Sequence, residues 1–109
     1  MDERERRLAQ NEALFRDVNE RVENVSRDSR SNVPYEFLCE CANPDCTFHI
    51  SLPLPVYESV RAESTQFIVL PLHYTPEVED LVAEEETYWV VRKTGEAGDY
   101  VTQLDPRSR

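Results

Sequence analysis

Three cysteines fall within eight residues, Cys39-Glu40-Cys41-Ala42-Asn43-Pro44-Asp45-Cys46, and they are all the cysteines the chain has. An odd number of thiols gathered around a turn argues against a disulfide framework and for a zinc site, because three thiolates supply most of a tetrahedral shell. On a strand, positions 39 and 41 project to the same side, so both sulfurs can address one ion while the Asn43-Pro44-Asp45 turn returns Cys46 to it. The fourth ligand is open at this level. Alternation sets His49 opposite to Cys46, so only a bulge would bring it round. His73 lies directly after an apolar run, where a loop can bend over the cysteines, and is the preferred candidate. Asp45, a water or a ligand from outside the chain completes the choices.

A closed shell of three cysteines and one histidine contributes folding energy rather than chemistry. A catalytic zinc keeps a position open to water beside a carboxylate base, and the H-x-E with P-C-x-x-C pattern of the deaminases is absent. A cysteine nucleophile with His49 or His73 as base is the other chemical option, and no nucleophile motif supports it. The expected cofactor is therefore a structural Zn2+, and no catalytic residue is assigned. The run Glu84-Glu85-Glu86 reads as a solvated helix end rather than as paired acid and base groups.

These residues need elements to position them. Residues 1–30 contain no Gly or Pro and are rich in Glu, Arg, Ala and Leu, which predicts one long helix. Leu8, Phe15 and Val22 recur every seven residues, with Val18 and Val25 three beyond the second and third, as an apolar stripe able to dock on the sheet or on a partner. Asn11 and Asn19 lie on or near that stripe, where they sit at its edge or bond a partner's backbone. Ser26, Ser29, Ser31, Asn32 and Pro34 then form a linker. Tyr35 to Cys41 and Thr47 to Leu52 alternate as the strands of a hairpin tipped by the cysteines. Val56 to Arg61 suits a short helix, and Gln66 to Leu72 a central strand. Thr75 as cap, Pro76 in the first turn and Glu77, Glu79 and Asp80 at the dipole's positive end predict a helix burying Val78, Leu81 and Val82. Thr87 to Lys93 is a last strand ended by Gly95 and Gly98; of its adjacent rings, Tyr88 and Trp89, only one can be fully in the core. The expected class is α+β: a long N-terminal helix, a zinc-tipped β-hairpin, and a small mixed or antiparallel sheet of about four strands with two short helices. The expected organisation is a helix over 1–30, a zinc-stapled α+β domain over 31–99 and a tail over 100–109.

Composition bounds the rest. The 109 residues suit one small domain, with 22 acidic against 12 basic residues, a net charge of −10 and a mean hydropathy of −0.63. Residues 31–99 alone hold thirteen acids and three bases. Such a field disfavours nucleic acid, since counterion release needs clustered Lys and Arg, and it attracts basic protein partners. No stretch has the length of a membrane span and the N-terminus lacks the apolar core of a signal peptide, so a cytoplasmic protein is expected.

Phe37-Leu38-Cys39-Glu40-Cys41 through Cys46, then Tyr57-Glu58, Val60-Arg61, the Phe67 strand ending near His73, and Gly95-Glu96-Ala97 resembles a family of small, largely uncharacterised bacterial proteins. Their common pattern is an asparagine-containing N-terminal helix, F-x-C-E-C-x4-C, and a strand ending in P-G-H. The resemblance covers most of the chain, including Asn11-Glu12-Ala13-Leu14-Phe15 and Val18-Asn19-Glu20-Arg21. It implies Cys39, Cys41, Cys46 and His73 as the metal set. Leu72 stands where the pattern has glycine, and Pro53 where a threonine would cap the short helix. No activity follows from it. The expected function is a non-enzymatic, zinc-binding protein-interaction or regulatory module that presents an acidic face and its N-terminal helix to a protein partner or a second copy. The alternative is a thiol-based redox or metal sensor using the same cluster.

Overall fold

Helix propensity carries the chain through its first element, α1 (Glu3–Val25), which opens with the Asp2 carboxylate accepting the Glu5 amide. The computed structural model describes residues 1–25 and 34–108; the expected linker over 26–33 lies outside them. Two antiparallel strands follow, β1 (Pro34–Leu38) and β2 (His49–Pro53), paired with Phe37 opposite Ile50 and Leu38 opposite His49. Pro53 is the N-cap of α2 (Leu54–Arg61), which has Pro55 in its first turn. The apolar run then forms β3 (Gln66–Val69).

A second antiparallel sheet has the order β3, β5, β4, with β4 spanning Glu79–Glu84 and β5 Trp89–Lys93. The class is α+β, as expected, with five strands split between a two-stranded and a three-stranded sheet. The helix expected to start at Thr75 is not formed. Thr75 and Pro76 open a single turn, closed by the Val78 amide on the Thr75 carbonyl, and the chain continues as β4. Pairing with β5 overrides the local helix signal. Burial in β4 has period two: Glu79, Leu81 and Ala83 turn inward while Asp80, Val82 and Glu84 face out, and a register shift falls between Leu81 and Ala83. Tyr88 and Trp89 are both half-buried.

Gly95, at φ +60°, turns the chain out of β5 into α3 (Gly95–Leu104), and Gly98 lies inside that helix, where a Cβ would stand 3.0 Å from the Lys93 carbonyl oxygen. Val101 of α3 is fully buried, joining a core of Phe37, Ile50, Leu52, Tyr57, Phe67, Ile68, Val69 and Val91. No helix among the described residues is long and apolar enough to cross a membrane.

The face that α1 turns inward is Ala9, Glu12, Ala13, Arg16, Asn19 and Glu20, a helical repeat rotated away from the apolar stripe. Leu14 and Val18 remain exposed. Arg16 and Glu20 bond within the chain. The Arg16 guanidinium donates to the Ser64 and Val101 carbonyls and lies 4.6 Å over the Phe67 ring. Glu20 accepts from Arg61, at 2.5 Å, and from Arg107. Arg61 also holds Asp105; burial pushes the Asp105 carboxyl up, but bonds from Arg61 and the Arg107 amide win and hold it down to about 2. Without α1, Arg61 would lose Glu20, Lys93 would lose Glu12 and Glu40 would lose Asn19, and breaking a buried ion pair by removing one member costs about 3–5 kcal/mol. Deletion of residues 1–25 is therefore expected to abolish cooperative unfolding, which a urea titration followed by circular dichroism checks.

Candidate metal centre

The hairpin ladder continues one step past β1, through the Cys39 amide on the Phe48 carbonyl at 3.1 Å. The next residue changes partner. The Glu40 amide donates to the Ile68 carbonyl at 2.7 Å, and the Ile68 amide returns a bond to Glu40 Oε1 at 2.9 Å, so the segment passes from β2 to β3. Alternation survives that change: Cys39 and Cys41 project one way and Glu40 the other. The Asn43 side chain accepts the Asp45 amide, and the Asn43 carbonyl accepts the Cys46 amide, which fixes the turn that returns the third sulfur.

His73 arrives from the loop after β3. Its amide bonds the Leu70 carbonyl, and Leu72, at φ +72°, supplies the left-handed step that glycine takes most readily. His73 Nδ1 stands 3.4 Å from Cys39 Sγ and 3.7 Å from Cys46 Sγ. One ligand atom from each of Cys39, Cys41, Cys46 and His73 lies within 4.8 Å of all the others. A tetrahedral zinc with Zn–S near 2.3 Å and Zn–N near 2.0 Å has edges of roughly 3.5–3.8 Å. The two distances from His73 Nδ1 to sulfur fall close to that range, and the arrangement is compatible with a Cys3His metal site. His49 and Asp45, the other candidates, are exposed and stand outside the group.

The thiols are buried and interact. A hydrogen bond to Cys41, then burial, hold the Cys39 thiol protonated well above its ordinary range, and the same bond draws Cys41 down to about 5. Burial raises Cys46. The bond between Cys39 and Cys41 favours a thiolate at Cys41 over one at Cys39. A divalent cation would replace the remaining protons, so its affinity falls in acid. The Leu70 amide donates to Cys39 Sγ at 3.2 Å, a bond that stabilises a thiolate in place. A hollow of about 290 Å³ opens beside the group, lined by Cys41, Asn43, Leu72, His73 and Tyr74 among others. Phe48, 62% exposed, meets the His73 ring edge-on at 6.1 Å, and Leu72 is 82% exposed.

Beneath the sulfurs lies a part of the site that the sequence reading missed. The Glu40 carboxylate is fully buried and accepts three bonds: from the Ile68 amide, from Tyr57 Oη at 2.8 Å and from Asn19 Nδ2 at 2.9 Å. Burial raises its pKa, and these donors with Arg61 oppose the rise. Asn19 also accepts the Leu38 amide and donates to the Leu38 carbonyl, as a neighbouring strand would, and Asn11 donates to the Ala42 carbonyl. The two asparagines thus bond the chain's own hairpin. The signal for this was the polar helical repeat through Glu12, Arg16, Asn19 and Glu20, set against a glutamate flanked by two cysteines.

Comparison with family models, with curated proteins and with solved structures finds no match to this chain. The geometry alone carries the reading of the site. Glu40→Gln keeps the volume but turns an amide toward one of three donors, so it should cost about 1–3 kcal/mol of stability. Urea midpoints of the variant and the wild type check this.

Proposed function

We propose that the chain holds one zinc ion through the sulfurs of Cys39, Cys41 and Cys46 and Nδ1 of His73, and that the ion is structural. The observation that carries this reading is the convergence of four ligand atoms from two separate segments to within 4.8 Å. Three sulfurs and an imidazole are the donor set zinc favours in closed sites, and a ligand set closed by protein groups makes metal affinity part of folding energy. On this reading the protein is a non-enzymatic interaction module of a reducing compartment such as the cytoplasm. It offers its acidic surface and the outward side of α1, with Leu14 and Val18, to a basic protein partner. The likeness to small bacterial proteins with an F-x-C-E-C-x4-C cluster belongs to the same proposal.

A second reading, a redox sensor, is favoured by one observation, the hollow that opens onto Cys41 and His73. Through it a peroxide could reach the sulfurs. Two thiolates would be oxidised to a disulfide as the peroxide is reduced to water, and the metal would be released.

Native mass spectrometry with elemental analysis separates these outcomes. The wild type is expected to carry one zinc per chain, His73→Ala to lose it or bind it far more weakly, and low peroxide to leave the wild-type zinc in place. Zinc ejected with formation of one disulfide would favour the sensor. A reduced wild type with no metal would overturn both readings.

A further inference from the structure

Eleven of the chain's twelve cationic side chains are arginine, and the single lysine, Lys93, is fully buried at the end of β5. Its Nζ lies 2.7 Å from Glu12 Oε2 of α1 and 3.4 Å from Glu79 Oε2 of β4, and all three side chains are fully buried. The other Glu79 oxygen accepts the Thr75 amide at 2.8 Å, which fixes that carboxylate in place. α3, also packed on α1, adds no charge here: Glu96 pairs with the N-terminal amine and Asp99 is exposed. On α1 itself, the Arg16 guanidinium is turned to the Ser64 and Val101 carbonyls.

Two ionised carboxylates around one ammonium would leave a net negative charge out of reach of water, and an uncompensated buried charge is relieved by taking up a proton. We propose that Glu12 keeps its proton beside the Lys93 ammonium and Glu79, and that the contact α1 makes through Glu12 with this end of the three-stranded sheet holds fully only while that proton is kept. Burial first, then the charge of Glu79, push the Glu12 carboxyl well above the usual carboxylate range, against the pull of Lys93. When the proton leaves to solvent, the cluster gains one net negative charge beneath α1, which weakens the contact made through Glu12. The device makes the docking of α1 sensitive to pH, independently of any metal.

The sign is fixed by linkage. A carboxyl that keeps its proton in the folded chain after the unfolded chain has lost it contributes fully below the unfolded pKa, and the contribution is lost as pH rises toward the folded one. Glu12→Gln removes the titrating group and keeps its shape. Urea midpoints of the full-length wild type and of Glu12→Gln, taken from about pH 5 to 9, should diverge. The folding equilibrium constant of the variant relative to the wild type should rise about tenfold per pH unit while the folded chain alone holds the proton. Carboxyl-carbon NMR of the wild type, which needs no variant, should show the Glu12 carboxyl still protonated at neutral pH. Parallel stability profiles, or a Glu12 carboxyl resonance that titrates in the ordinary carboxylate range, would overturn the proposal.

Discussion

One buried carboxylate holds the architecture together. Glu40 stands between two cysteines whose sulfurs face away from it, and it collects donors from α1, α2 and β3 at a single point. A charged acceptor in the interior is tolerated only when its oxygens are hydrogen-bonded, and a half-satisfied one would be worse than an apolar side chain. The requirement is strict in three directions. It fixes how α1 is rotated about its axis, because Asn19 must reach both Glu40 and Leu38. It fixes the depth of α2 through Tyr57, whose ring also stacks on Phe37 at 4.3 Å. It fixes the passage of the chain from one sheet to the other at Ile68. The cysteines on either side of Glu40 inherit their positions from it.

The same logic runs along α1. A chain this poor in apolar residues docks its longest helix through paired polar groups: Glu12 with Lys93, Arg16 with backbone carbonyls and an aromatic face, Asn19 with Glu40, and Glu20 with two arginines. Buried pairs of this kind add little net stability compared with apolar packing, yet breaking one is costly, so they act chiefly as constraints on which arrangement is allowed. The grouping of Cys39, Cys41, Cys46 and His73 fits this economy. A few short strands and thin helices gain little from area alone, and a metal held by the hairpin and the loop after β3 would tie both sheets to one point.

Much of this was legible in the chain, and the failures are instructive. The cysteine spacing, the Asn-Pro-Asp turn and the position of His73 after an apolar run anticipated the grouping of four ligand atoms, because metal-ligand spacing and turn chemistry are local properties. The hairpin, α2, β3 and β5 could be read for the same reason. β4 could not: Thr75, Pro76 and the acids after them form a genuine helix-start pattern, and only the partner strand β5, contributed by later residues, overrules it. The rotation of α1 was hidden as well. An apolar stripe is the usual guide to a buried face, but here the interior is polar at that contact, and the guide pointed elsewhere. Lys93 showed its significance only once Glu12 and Glu79, far apart in sequence, were seen around it.

The central claim is a Cys3His metal centre supported from beneath by Glu40. X-ray absorption at the metal edge of the isolated full-length protein tests it most directly. Zinc with three sulfur neighbours near 2.3 Å and one nitrogen near 2.0–2.1 Å is the expected result. A shell dominated by oxygen, or one with fewer than three sulfurs, would contradict it.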